Sequence, residues 1–447
     1  MKVLMFGWEF PPHISGGLGT ACQGLTEALS EERVDVVFVV PKLGGGEHAS
    51  GVSFVDAGKV ILKKQKRSTQ TLSATTPASV ETGEAEFTVL EVESALSPYH
   101  SETYNYPVTH VQSWQHELSG TTSIHEKEVL EEDEYTHTFS GNYGPNLRAE
   151  VTRYAEVAAA IAQRVDFDVI HVHDWMTFPA GVAAKRASGK PLVVHVHSTE
   201  FDRSGDQIDR RLYDIEKEGM ESADCVLAVS QWTKDIVVNR YGIPREKVKV
   251  LHNGIIVRQD SPETKLPPLG THVVTFLGRL TYQKGPLYFI AAAKKVLEKF
   301  PDAHFIMAGS GDLFPQAIER VAHLRLSSRF HFTGFLRGDN LARIWSISNV
   351  YVMPSVSEPF GITPLEAIQA GVPVIVSNQS GVAEVMPHAI KVDFWKTDRL
   401  AEAICSILQH KSLSTTLKKN GLEDLKHITW NNAAKKIKST YHELTSH

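Results

Sequence analysis

The chain has 447 residues, 42% of them apolar and 22% charged, with a net charge of −6. That is the balance of a soluble globular protein too long for one core, so two domains are expected, and the negative charge argues against a general nucleic-acid binder. Three separated cysteines, Cys22, Cys225 and Cys405, point to a reducing compartment without disulfide framework or zinc-ligand spacing. No apolar run approaches the ~20 residues of a membrane helix. The N-terminal apolar stretch breaks at Pro11-Pro12, too soon for a signal peptide, so a cytoplasmic protein without an integral membrane segment is expected.

Val3 to Phe6 reads as a first strand, followed by the glycine-rich turn Ser15-Gly16-Gly17-Leu18-Gly19, a helical pattern from Thr20 to Leu29 and a buried strand from Val34 to Val40. This unit predicts the start of a doubly wound α/β domain, and Gly16 and Gly17 allow a ligand close to the backbone. Residues 44–145 carry less pattern: Gly44-Gly45-Gly46, a Ser/Thr-rich stretch, one strand from Phe87 to Val92 and an acidic run from Glu126 to Glu134. They read as an insert on the first domain. Its aromatics, among them Tyr99, Tyr104, Trp114, Tyr135 and Tyr143, either pack the insert or stack on acceptor sugars. Asn146 to Arg164 has helical spacing.

Two strands then end in histidines. Asp168 to Trp175 contains His171 and His173, and Leu192 to Glu200 contains His195 and His197. Each H-x-H pair places two imidazoles on one strand face, and strand ends of open α/β sheets are where ligands bind. The four histidines read either as metal ligands that activate water or as walls of a sugar site. The first histidine of each pair also fits a buried strand position. Asp166-Phe167-Asp168 mimics a metal-binding D-x-D but runs into a strand, so it reads as structural.

The first domain is expected over residues 1–256, a proline-bearing linker over 257–270, a second domain over 271–428 and a last amphipathic helix over 429–447. The second domain opens with a strand from Val273 to Leu277 and the turn Gly278 to Gly285, where Arg279 and Lys284 are either solvated or hold an anion. Val350 to Met353 is a buried strand that leads into Ser355 to Gly371, a loop and helix with two carboxylates, Glu358 and Glu366, eight residues apart. Free N–H groups at a helix start favour an anion. A carboxylate would repel a phosphate, so Glu358 and Glu366 are expected to face hydroxyls. Hydroxyls on both sides of a diphosphate describe a nucleotide sugar. Thr363-Pro364-Leu365-Glu366 equally reads as a capping box, with Thr363 as N-cap.

The stretch from Glu358 to Ala367 resembles the E-x7-E signature of retaining glycosyltransferases of the glycosyltransferase-B fold. With Gly278-Arg279-Leu280 and Lys284-Gly285, Gly16-Gly17-Leu18, His171 to Trp175 and Gly381 to Glu384, the chain resembles bacterial glycogen and starch synthases and related group 1 glycosyltransferases. One departure is Ile14, where the family carries a lysine. The resemblance implies two doubly wound Rossmann-like α/β domains facing across a cleft, with the last helix crossing back to the first. It implies Glu358, His197, Arg279 and Lys284 as the catalytic set. The donor site would take Gly16, Gly17, Phe335, Leu336, Phe360, Gly361, Ile362, Thr363 and Glu366 in addition to Arg279, Lys284 and Glu358. Glu9, His173 and Asp174 would line the acceptor side. The implied reaction is transfer of glucose from ADP- or UDP-glucose to an α-glucan such as glycogen, with no cofactor, no metal and no nucleic acid. The rival readings are a transferase of another sugar or acceptor in polysaccharide synthesis, a metal-dependent hydrolase built on the H-x-H pairs, and a non-catalytic carbohydrate-binding relative.

Overall fold

The computed structural model describes residues 1–13, 17–71, 126–255, 269–336 and 338–446. Among the described residues, nine strands precede residue 256: β1 (Lys2–Phe6), β2 (Asp35–Val40), β3 (Val52–Asp56), β4 (Leu62–Thr71), β5 (Glu126–Tyr135), β6 (Val169–His173), β7 (Leu192–Val196), β8 (Cys225–Ala228) and β9 (Val248–Val250). Seven form one parallel sheet in the order β3-β2-β1-β6-β7-β8-β9, and β4 pairs antiparallel with β5. The central strands are mostly apolar, rich in Val, Ile and Leu, because helices cover both faces of the sheet, with His171, His173 and His195 as the buried exceptions. Two buried clusters lie against it, one around Tyr154, Val172 and Val194, the other around Phe38, Leu25 and Ile437.

A second parallel sheet follows: β10 (Val273–Leu277), β11 (His304–Ala308), β12 (Phe330–Gly334), β13 (Val350–Met353), β14 (Val374–Ser377) and β15 (Ile390–Val392), in the order β12-β11-β10-β13-β14-β15. In each sheet the strand order reverses once, between β1 and β6 and between β10 and β13. A doubly wound sheet opens a crevice at such a reversal, beyond the carboxyl ends of its strands. Four of the loops singled out in the sequence start there: those after Phe6, His173, Leu277 and Met353.

The helix Trp430–Thr445 crosses back onto the first sheet. Trp430, Ala433, Ile437 and Tyr441 are buried in the first domain's core. The helix Gly17–Glu31 lies so close that a Cβ on Gly24 would come within 2.2 Å of the Trp430 indole.

Two local expectations fail. The strand β3, inside the expected insert, extends the main sheet by pairing with β2. The capping box at Thr363 does not form: Ile362 occupies the N-cap position with helical backbone angles and no side-chain bond, and the Thr363 hydroxyl goes to Tyr351. Phe87 to Val92, the insert aromatics Tyr99, Tyr104 and Trp114, residues 256–268 of the linker, and Ile14 and Gly16 lie outside the described residues.

Candidate active site

The first domain contributes a wall of imidazoles. His171, His173 and His195 are fully buried, with the rings of His171 and His173 stacked 4.5 Å apart and those of His195 and His197 4.2 Å apart. His173 Nδ1 lies 2.9 Å from His197 Nε2, and His171 Nε2 lies 3.3 Å from His195 Nδ1. The Tyr441 hydroxyl, from the returning helix, bonds His171 Nδ1. Burial lowers all four pKa values, those of His171 and His197 to about 3, so the wall is uncharged at neutral pH.

His171, His173 and His195 bring ligand atoms within 4.8 Å of one another, a set that could hold an ion. His173 Nε2 and His195 Nε2 are buried without partners. Asp174, the nearest acid in sequence, is turned elsewhere. It accepts the backbone N–H groups of His197, at 2.7 Å, and Ser198, at 3.2 Å. Asp174 holds a φ of 60°, a left-handed backbone that puts its carboxyl under the turn after β7. Burial pushes its pKa up to about 7, and the two N–H groups with Arg203 restrain the rise.

The second domain contributes charge. Lys284 Nζ lies 2.5 Å from a carboxylate oxygen of Glu358, which also accepts the Ser355 hydroxyl at 3.2 Å. Glu358 is 5% exposed, and such a buried acid requires a partner. Its backbone is pinned as well: Glu358 N–H donates to Gln379, and Gly381 N–H donates to Glu358, at 2.9 Å each. Arg279 starts the turn that Lys284 ends, and its guanidinium reaches Gln283 at 3.5 Å. A Cβ on Gly309 would stand 1.9 Å from the Gly278 carbonyl, so only glycine lets the two loops touch. Gly361 takes a φ of 95° over Glu358 and Met353, turning the chain from Glu358 into the helix Thr363–Gln369.

Other expected residues fall around these. Glu9 accepts the Gly19 N–H at 3.1 Å and the Tyr143 hydroxyl at 3.2 Å. A Cβ added to Gly17 would meet nothing within 4 Å. Phe360 is buried in the second core, Ile362 touches the cores of both domains, and Glu366 is half-buried in the first turn of its helix. Phe335, at the end of β12, is 55% exposed, with Leu336 next to it. His173, expected on the acceptor side, is fully buried and meets His197 rather than open cleft.

No local pattern in the sequence marks how the walls are joined. Ser357 donates to Asp202 at 2.5 Å and accepts from the Trp232 indole at 3.1 Å. Glu384, noticed only as part of a motif, accepts the N–H groups of Gln231 and Trp232 at 2.8 Å each and meets His252 Nε2 at 2.8 Å.

Comparison with known proteins agrees with this architecture. Residues 257–424 match the family described as glycosyl transferases group 1, and residues 115–259 match that described as glycosyltransferase family 4. The chain belongs to the group 1 glycosyltransferases. It is 29% identical to an uncharacterized glycosyltransferase of Methanocaldococcus jannaschii, covering 99% of this chain and 98% of that one. It is 24% identical to a glycogen synthase of Mycobacterium tuberculosis, over 86% of this chain and 80% of the other. Among solved structures, sucrose-phosphate synthase from Thermosynechococcus elongatus covers 100% of this chain and 99% of its own, with a TM-score of 0.69 at 19% identity. Anabaena HepE, solved with UDP-glucose, covers 99% and 100%, with a TM-score of 0.63 at 15% identity. These two likenesses show the fold of the glycosyltransferase, two Rossmann-like domains. Group 1 glycosyltransferases bind nucleotide-sugar donors and carbohydrate acceptors, so this transferase has both kinds of substrate. No helix among its described residues is long and apolar enough to cross a membrane.

Proposed function

We propose that the protein is a retaining glycosyltransferase that moves glucose from ADP- or UDP-glucose to an α-glucan such as glycogen. The observation that carries the reading is the pairing of Lys284 with Glu358, 74 residues apart in sequence, at the reversal point of the second sheet. In this reading Lys284 and Arg279 take the donor diphosphate, with the N–H groups of Gly361, Ile362 and Thr363. A leaving diphosphate gathers negative charge, and fixed cations in a water-poor cleft stabilise it. Glu366 binds the ribose hydroxyls, and Phe335 and Leu336 flank the base. Gly17 leaves room for the phosphates from the opposite side.

Glu358 keeps a carboxylate beside the transferred sugar, where the breaking bond develops positive charge. His197 contributes a neutral imidazole near the same carbon. Glu9 and Asp174 shape the acceptor side, and Asp174 acts through the backbone it holds. The glucan acceptor is supported by the relation to a glycogen synthase along 86% of the chain. A second reading keeps this site and changes the sugar or acceptor to those of another polysaccharide. It is favoured by Ile14, which stands where the resembled family has a lysine. Membership of a transferase family sets the hydrolase reading aside.

The test is a donor panel of ADP-glucose, UDP-glucose and GDP-mannose with glycogen as acceptor, read as release of nucleoside diphosphate. The expected result is release from a glucose donor only when glycogen is present. Turnover of GDP-mannose alone, or no dependence on glycogen, would support the second reading. Binding of glycogen without turnover of any donor would overturn both.

A further inference from the structure

Beside the bridge between Ser357 and Asp202, which itself lines it, lies a cavity of about 320 Å3, lined also by Phe201, Trp232, Tyr282, Asp206 and Arg240. That volume is at the small end of ligand pockets. Its walls come from both domains. Phe201 lies in the short helix Glu200–Ser204 and Asp206 just beyond it, Trp232 and Arg240 stand on the helix Gln231–Tyr241, and Tyr282 sits in the turn between Arg279 and Lys284. Tyr282 is 54% exposed, a large ring left to water immediately beside the proposed donor loop.

The aromatic surface continues outward along the second domain. Tyr288 follows in the first turn of the helix Pro286–Lys299, its ring 3.2 Å from where a Cβ on Gly285 would stand, at the end of the turn that holds Tyr282. Its ring centroid is 4.9 Å from that of Phe394, which is 4.8 Å from that of Trp395. Trp395, at the far end, is 52% exposed. Single exposed aromatics are ordinary, but two exposed rings, Tyr282 and Trp395, at the ends of a row completed by the half-buried Tyr288 and Phe394 leave a surface for something to cover.

Polar groups accompany the rings. Arg240 stacks 4.6 Å over Phe201 and pairs with Asp206, and Asp393 pairs with Lys396 beside Trp395. Aromatic faces take the C–H faces of sugar rings, and paired ions exchange hydrogen bonds with neighbouring hydroxyls. With Asp206 paired to Arg240 and Asp393 to Lys396, the surface has no excess of positive charge to draw a phosphate-bearing chain. The fitting occupant is a neutral, extended one.

We propose that the cavity around Tyr282 and the file Tyr288, Phe394, Trp395 form a carbohydrate-binding track that holds a glycan chain outside the reaction cleft. The proposal rests on the reading that the acceptor is a polysaccharide. Such a track keeps the polymer bound between transfers, while the reacting end enters the cleft.

The experiment is affinity gel electrophoresis of the full chain, without donor, through gels containing glycogen, dextran or barley β-glucan. The expected result is retardation by at least one polymer, weakened about 5- to 10-fold in each of Tyr282→Ala and Trp395→Ala and retained in Tyr282→Phe, which keeps the ring. No retardation by any of the three polymers overturns the proposal, as does retardation of both alanine variants equal to wild type. Trp395 lies at the exposed end of the file, so Trp395→Ala remains informative should Tyr282→Ala not fold. Failure of the transfer reading shows separately, as wild-type protein that releases no nucleoside diphosphate from any donor. With the transfer reading intact, Trp395→Ala releases it at the wild-type rate with a short soluble acceptor.

Discussion

The two walls of the cleft are built from opposite materials. The first domain offers four imidazoles kept uncharged by burial, two of their nitrogens without partners, and one carboxyl with its pKa raised to about 7. The second offers a lysine–carboxylate pair and an arginine in a turn made possible by glycines. Both stand at the same place in the same kind of sheet, the reversal point beyond the strand ends. The fold therefore supplies the location, and the side chains alone decide which wall suits an anion and which suits a neutral sugar.

If the charged wall holds the diphosphate, it should be the wall that transfer cannot do without. Lys284→Ala is expected to lower the rate of nucleoside diphosphate release by about 10²–10³-fold, the usual cost of losing one preorganised stabiliser of developing charge. Arg279→Ala should fall in the same range. The lysine variant also leaves Glu358 buried without its cation, so Lys284→Ala with Glu358→Gln measures how much of the loss is that penalty. Wild-type turnover in both single variants would remove the diphosphate from this wall.

The uncharged wall makes the opposite kind of demand, on stability rather than rate. The unfolded chain's histidines take up protons near pH 6.5, whereas His171 and His197 resist until about pH 3 in the folded protein. As pH falls from 7 to 5 the unfolded state binds more protons, so stability drops, by about 2 kcal/mol for each of these two at pH 5. His173 and His195 act in the same direction. Asp174 acts against them, since its raised pKa lets the folded state hold a proton that the unfolded state has lost between about pH 4 and 7. Asp202 and Glu216, also raised by burial, act with Asp174, whereas His304 and His331, lowered by burial, join the four histidines. Six groups outweigh three, and the midpoint of thermal unfolding should decrease from pH 7 to pH 5. A midpoint that is flat or rises toward acid would mean that the histidines are charged or solvated in the fold.

The two walls were not equally legible in the sequence. The charged wall is local: Arg279 and Lys284 share one turn, Glu358 and Glu366 one loop and helix, and each follows an apolar strand that sequence pattern finds. The imidazole wall is not. Strand alternation places His171 and His173 on one face, but no spacing says that this face meets Tyr441, 270 residues on, or that His173 turns to His197 instead of solvent. The left-handed backbone of Asp174 carries no local signal either, since neither glycine nor asparagine marks the position. The strand β3 escapes a sequence reading for a simpler reason: five residues between Gly51 and the turn Ala57–Lys59 carry too little periodicity to separate from an insert.

The smallest expected effect tests what joins the walls. The first N–H groups of a helix have no partner within it, and Ser230 already satisfies that of Thr233. Glu384 reaches from the second domain to take those of Gln231 and Trp232, with His252 on the same carboxylate. The contact is a helix cap supplied by the other domain, so removing it should loosen the domains as well as the helix. Glu384→Ala is expected to cost about 1 kcal/mol, the ordinary value of a cap, and Glu384→Gln, which keeps one acceptor oxygen, about half as much. Solution scattering distinguishes this from a purely local loss: Glu384→Ala should show a larger radius of gyration than wild type, with Glu384→Gln between them. An unchanged radius together with unchanged stability would place the hold between the domains elsewhere, on Ser357 and the returning helix.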